Sequence, residues 1–281
     1  MAPPWKHTAR IRITSMNASP HISLIFVNYR SAQYLAAALR SLFSFERETD
    51  FFEVIVVNND ASESPVLQEL RRASPFILIE NDRNSGFGSG GNLGARQARG
   101  RILGFINPDV LWAGVLLSDI IRLFDEERKI GILGMALLDA DQHPEAWSAG
   151  LEPSLVTLFR NNIFPSGQAV WRKDGLSFPD WVSGGALFIR SALFSEIGGF
   201  DERFFLYYED VDLCTEARKR GFSVARHSSL PLVHLGGRSN LSPGLQKKHF
   251  YDSQKKYFDK RRPAWEGKAL RFLRFFFRIP C

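Results

Sequence analysis

Several short segments of this 281-residue chain have the residue types and spacing for chemistry. Asn107-Pro-Asp109 follows the apolar run ending at Ile106. A carboxylate at a strand end can hold a hard divalent cation, which would neutralise a diphosphate leaving group. The same tripeptide also makes an ordinary strand-to-helix turn. Glu209-Asp-Val-Asp212 opens a helix directly after Phe204-Phe-Leu-Tyr-Tyr208. The helix dipole favours carboxylates in a first turn, and an aromatic wall before them raises a carboxylate pKa toward that of a general base. Capping and catalysis are both open at this point. His234, ahead of Leu-Gly-Gly-Arg-Ser239, is either a structural histidine or a metal or phosphate contact. Asn84 to Gly94 contains G-x-G-x-x-G at Gly86, Gly88 and Gly91, which suggests a helix N-terminus offering backbone N–H groups to a ligand. As a dinucleotide fingerprint it is weak, because it follows the third strand rather than the first.

These residues need a scaffold, and the hydrophobic pattern supplies one. His21–Val27, Phe52–Val57, Phe76–Ile79 and Arg101–Ile106 read as buried strands. Helices are expected over 31–44, around 65–72 and over 92–99. Continuous apolar strands alternating with helices predict an α/β protein with a mainly parallel, Rossmann-like sheet flanked by helices. Residues 140–180 read as irregular loops, Trp181 to Arg190 as a strand and Glu209 to Arg220 as a helix. In such sheets ligands bind beyond the carboxyl ends of the strands. Asn28, Asn58-Asn59-Asp60, Asn81-Asp82 and Asn107-Pro-Asp109 gather there.

Composition narrows the class. With 44% hydrophobic and 23% charged residues the chain is an ordinary globular protein, and its two cysteines, Cys214 and Cys281, indicate no disulfide framework. No apolar run is long enough to span a membrane, and the N-terminus lacks a secretory core. A cytoplasmic setting fits. The net charge of +6 is uneven: residues 241–281 hold eleven Lys or Arg against three Asp or Glu, with six of the 24 Phe. Residues 1–240 carry 25 basic against 27 acidic groups, so a nucleic-acid partner is not expected. Lys268, Arg271, Arg274 and Arg278 recur at helical spacing beside Trp265, Phe272 and Phe276, a pattern suited to a helix over 264–281 that either lies on an anionic membrane surface or docks its apolar face on the protein's own body.

Taken in order, these pieces resemble the family-2 inverting glycosyltransferases of GT-A fold, most closely the bacterial rhamnosyltransferases of cell-wall and surface polysaccharide synthesis. The most specific segments are Ser183-Gly-Gly-Ala-Leu-Phe-Ile-Arg190 and Ile197-Gly-Gly-Phe-Asp201 through Glu209-Asp-Val-Asp-Leu-Cys214. The resemblance implies a lead over 1–20, a catalytic domain over 21–240 and a basic helical extension over 241–281. It implies Asp210 as the base, and Asp109 with His234 as ligands of Mg²⁺ or Mn²⁺. It places Asn28, Asn58, Asp60, Asn84, Gly86, Asn92, Asn107, Arg238 and Ser239 around the nucleotide donor. Trp181, Gly184, Gly185, Asp201 and Glu209 would form the acceptor or sugar wall. Two positions depart from the family pattern: Asn58 and Asn107 stand where Asp is usual. The implied reaction moves a sugar, best matched by L-rhamnose from dTDP-rhamnose, to a saccharide acceptor that can be polyprenyl-diphosphate-linked. The implied location is the inner face of the cytoplasmic membrane. Galactofuranose or a UDP-hexose as donor, a non-catalytic nucleotide-sugar-binding relative and a homo-oligomeric assembly stay open.

Overall fold

A computed structural model describes residues 19–46, 49–145, 148–163, 175–236 and 242–276. The first strand, β1 (Ile22–Asn28), is buried along its whole length, as expected of a strand covered on both faces. Helix α1 (Ala32–Phe45) explains the cover on one side. It buries Ala32, Leu35, Ala38, Leu39 and Leu42, a three- and four-residue spacing that forms one apolar stripe. β2 (Phe52–Asn58), α2 (Ser64–Ala73), β3 (Ile77–Glu80), α3 (Phe87–Gln97) and β4 (Ile102–Ile106) continue the alternation. The pairings β1–β2, β1–β4 and β2–β3 are all parallel.

The second half of the sheet is mixed. β5 (Val110–Trp112), α4 (Leu117–Glu126), β6 (Ile130–Leu138), β10 (Ala186–Arg190), α6 (Ser191–Ile197), α7 (Glu209–Lys219) and β11 (Ser223–His234) complete the body. The strand order is β3-β2-β1-β4-β10-β6-β11-β5. β10 runs antiparallel to both β4 and β6, and β5 antiparallel to β11. The expectation of a mainly parallel sheet therefore describes the N-terminal half.

Two other expectations are corrected. The stretch 140–180 is not wholly irregular: it contains β7 (Ala149–Gly150), α5 (Leu155–Ile163) and β8 (Leu176–Ser177). The strand expected over Trp181–Arg190 is broken into β9 (Trp181–Val182) and β10 by Ser183-Gly184-Gly185. The break redirects the backbone so that Gly184 N–H meets Asp210.

α8 (Pro243–Arg261) and α9 (Ala264–Phe276) pack on the body rather than standing apart. Tyr257, Phe258 and Leu270 share a buried cluster with Phe204, Tyr208 and Val211, each such side chain contributing roughly 1.5–3 kcal/mol by burial. Charge follows the packing. Arg261, only 5% exposed, pairs with Asp212 at 2.6 Å and with Glu216. Lys260 pairs with Asp201 at 2.6 Å and Asp212 at 2.8 Å. Arg274, expected on an outward basic stripe, is buried and donates to Gln254 and the Tyr251 carbonyl. Arg278 lies outside the described residues. Among the described residues, no helix is long and apolar enough to cross a membrane.

Candidate active site

β4 ends at Ile106, and Asn107 N–H donates to Gly185 O at 2.9 Å, tying the strand end to the Gly-Gly break. The chain then enters β5, which pairs antiparallel with β11 so that Val110 faces His234. Leu235 N–H donates to Asp109 O at 3.0 Å. This short ladder brings two residues 125 positions apart together: His234 Nε2 lies 3.3 Å from Asp109 Oδ1. On the other side of the ring, Nδ1 lies 2.8 Å from Glu145 Oε1. Burial alone would lower the His234 pKa, but hydrogen bonds to Asp109 and Glu145, with their charges, outweigh it and raise it to about 10. The ring is thus held between two carboxylates.

Asp210 sits at the start of α7. Its Oδ2 accepts from Gly184 N–H at 2.8 Å and its Oδ1 from Val211 N–H at 2.7 Å. Burial pushes its pKa up against those two amides. Neighbouring Glu209 is buried beside Gly88, its Oε2 without a hydrogen-bond partner, and burial together with Asp210 pushes its pKa well up. The residues leading into this helix are strained: Tyr207 and Tyr208 adopt φ of 67° and 68°. Left-handed backbone costs a non-glycine residue roughly 1–2 kcal/mol, so the surroundings must hold it. α8 does so: Ser253 Oγ donates to Leu206 O and Gln254 Nε2 to Tyr208 Oη, both at 2.8 Å. The C-terminal helices are part of the site's support.

Between these groups lies a cleft of about 280 Å³ lined by, among others, Tyr29, Asn59, Asn84, Gly86, Asn107, Asp109, Phe205, Tyr207, His234 and Gln246. Gly86 is required where it stands. Its φ is 88°, and a Cβ there would lie 2.2 Å from Phe205 O. The rest of the glycine run acts differently from the expected ligand cradle. Gly90 and Gly94 let α3 approach Val27 and Ile25, and the Phe87 amide already donates to Phe205 O at 3.0 Å.

The structure brings Asn84, Gly86, Asn107, Asp109 and His234 to one cleft, with Gly184, Gly185 and Asp210 adjoining. Among the described residues, Asn28, Asn58, Asp60, Asn92, Asp201, Trp181 and Glu209 do not line it. Asn28 and Asn58 are fully buried and internally satisfied: Asn28 donates to Glu63 at 2.8 Å, and Asn58 to Glu80 at 2.7 Å and Ser64 at 3.1 Å. Asp60 pairs with Arg30. Asn92 clamps both backbone polar groups of Phe200. Asp201 is held by Arg203 and Lys260, which pull its carboxyl below the usual range despite opposing burial. Trp181 points its Nε1 at Leu151 O. Arg238 and Ser239 lie outside the described residues. Sequence reasoning missed Glu145 and Gln246, which no local motif marks, while Tyr207 belongs to the aromatic run before Glu209. A separate exposed group, Asp139, Asp141 and His143, has ligand-type atoms within 4.8 Å of one another. There Asp139 Oδ1 accepts the amides of Asp141 and His143, the bonding of a tight turn.

This mixed α/β sheet, with its helical C-terminal part and strand-end carboxylate–histidine pair, is the GT-A architecture of glycosyltransferases. A mannosyltransferase from Pyrobaculum calidifontis, solved with GDP-Man and Mn²⁺, superposes with a TM-score of 0.63 at 16% identity. The match covers 87% of this chain and 64% of that one, and carries the fold. Residues 23–194 match glycosyl transferase family 2, and the chain belongs to that family. It is 25% identical over 274 residues to the N-acetylglucosaminyl-diphospho-decaprenol L-rhamnosyltransferase of Mycobacterium tuberculosis, covering 89% of this chain and 88% of the relative. It is also 25% identical to the low-salt glycan biosynthesis hexosyltransferase Agl10 of Haloferax volcanii, over 82% of this chain and 71% of that protein. The protein is a glycosyltransferase, similar to rhamnosyltransferases at modest identity.

Proposed function

We propose that the protein is an inverting, metal-dependent transferase that moves L-rhamnose from dTDP-rhamnose to a saccharide acceptor carried on a polyprenyl diphosphate. The observation that carries the reading is the pair Asp109–His234 at one side of the Gly184–Gly185 turn with Asp210 at the other. In this reading the donor's diphosphate lies toward Asp109 and its sugar toward the glycine turn. Asp210 accepts the acceptor hydroxyl's proton as that oxygen bonds to the anomeric carbon. The bond from that carbon to the diphosphate oxygen breaks, its electron pair leaving with the nucleoside diphosphate. Raising the Asp210 pKa by burial makes it a stronger base, while the Gly184 and Val211 amides keep its orientation.

A divalent cation fits the site on chemical grounds. The described lining of the cleft offers carboxylate, imidazole and amide groups and no Lys or Arg. Asp109 Oδ1 and His234 Nε2 are hard and borderline donors 3.3 Å apart. When bound, Mg²⁺ or Mn²⁺ supplies charge neutralisation for the leaving diphosphate. Thermal-shift screening of nucleotide sugars, each with and without Mn²⁺, tests the reading. Selective, metal-dependent stabilisation by dTDP-rhamnose is expected; stabilisation by UDP-galactofuranose or a UDP-hexose instead would reassign the donor.

The surface of α9 supports work beside a lipid-linked acceptor at the cytoplasmic face of a membrane. Trp265 (62% exposed), Phe272 (61%) and Leu273 (43%) leave apolar area in water, with Lys268 and Arg271 also exposed. Because Glu266, Leu270 and Arg274 of the same helix are buried, point changes are the proper test. Trp265→Ser with Phe272→Ser should reduce sedimentation with anionic liposomes; unchanged binding would remove this part of the proposal.

A further inference from the structure

We infer that Glu145 is a positioning residue: it fixes the ring of His234 so that Nε2 presents its lone pair to the cation held with Asp109. The inference rests on the metal reading above. A neutral imidazole has one N–H and one lone pair, and its partners decide which nitrogen carries which. Glu145 Oε1 at 2.8 Å from Nδ1 holds the proton there. That leaves Nε2, 3.3 Å from Asp109 Oδ1, a separation that lets both donors reach one ion at ligand distances of about 2.0–2.1 Å. A carboxylate behind a ligating histidine also raises the basicity of the nitrogen that binds.

The backbone builds this contact deliberately. β6 pairs in parallel register with β11, Leu138 beside Val233, the residue before His234. The chain then reverses through the turn capped by Asp139 and returns antiparallel through the Leu138–Pro144 bridge. Glu145 N–H donates to Leu137 O at 2.9 Å. Glu145 is thus anchored by its own main chain one strand away from the histidine. Its side chain is 26% exposed and that of His234 17%, so solvent screens the pair only in part. The Asp139–His143 group belongs to this arrangement as the turn that delivers Glu145.

The test is Mn²⁺ titration of the full chain by electron paramagnetic resonance, with Glu145→Ala and Glu145→Gln, each alone and on a His234→Ala background. Loss of an outer-shell partner weakens metal affinity by about 10–100-fold, which is expected for Glu145→Ala. Glu145→Gln keeps a neutral acceptor and should fall between that variant and the parent. With His234 removed, Glu145→Ala should change the affinity by less than about twofold, because its effect passes through the ring. Binding within about twofold of the parent in both single variants would overturn the assignment while leaving the metal reading intact. An equal loss on both backgrounds would overturn it too, since Glu145 would then act on the fold or the ion directly. A parent chain that binds no Mn²⁺ would overturn the metal reading, and the assignment with it. Should Glu145→Ala fail to fold, the near-isosteric Glu145→Gln carries the same comparison.

Discussion

The resemblance leads one to expect Asp where Asn58 stands, and the surroundings of Asn58 say what that change would do. Its Nδ2 donates to Glu80 at 2.7 Å and Ser64 at 3.1 Å, while its Oδ1 accepts from Asn28 at 3.1 Å and from the Asp60 amide at 3.1 Å. Asn58→Asp keeps the accepting oxygen but replaces the donor with a second carboxylate oxygen facing Glu80. The loss is a hydrogen bond to a charged group, about 1.5–3 kcal/mol, plus like-charge repulsion that the exposure of Glu80 screens. A net cost of about 2 kcal/mol at pH 7 follows, which lowers Tm by roughly 4–8 °C in a domain of this size. The sign with pH is fixed: the new carboxyl is fully buried beside another acid, so its folded pKa exceeds its unfolded value. The variant should match the parent below about pH 4, the unfolded carboxyl value, and lose stability as pH rises. Calorimetric melts at pH 4 and pH 7 make the comparison. Equal Tm at pH 7, or a deficit larger at pH 4, would refute the reasoning.

Arg261→Met removes one partner from a buried pair and leaves Asp212 with Lys260 alone; breaking such pairs costs about 3–5 kcal/mol, so Tm should fall clearly, and a shift under about 2 °C would argue that α8 is loosely attached. Glu216 reports on the same junction: burial raises its pKa, but hydrogen bonds from Arg220 and Arg261 outweigh that and bring it to about 2. Its contribution is therefore present above about pH 4.5 and lost as pH falls toward 2; Glu216→Gln should flatten acid unfolding over that window, followed by circular dichroism. Gly86→Ala would force a Cβ against Phe205 O and a left-handed alanine, so donor binding measured by calorimetry should weaken at least about tenfold, the equivalent of about 1.4 kcal/mol.

Much of the fold was legible because buried parallel strands announce themselves as continuous apolar runs, as in Ile22–Val27 and Val54–Val57. Asp109 and His234 stand out in the sequence because each follows or ends an apolar run, and Asp210 because it opens a helix after an aromatic run. Glu145 was not: β6 and its return turn place it, and nothing within ten residues marks the pairing with His234. Asn28 and Asn58 had the right position at the strand ends, but Glu63 and Glu80 engage them from 35 and 22 residues away. The glycine run reads as a helix N-terminus offering N–H groups to a ligand, whereas Gly90 and Gly94 serve the packing of α3 on Val27 and Ile25. In the tail, periodicity could count cations but not see that Asp212 and Gln254 would claim Arg261 and Arg274.

The most direct test of the mechanism is Asp210→Asn, with sugar transfer and donor affinity measured on the same preparation. General-base catalysis contributes about 10²–10⁴-fold, so turnover should fall by that factor while the donor's Kd stays within about threefold. Turnover close to that of the parent chain would contradict the assignment of Asp210 as the base and the mechanism built on it.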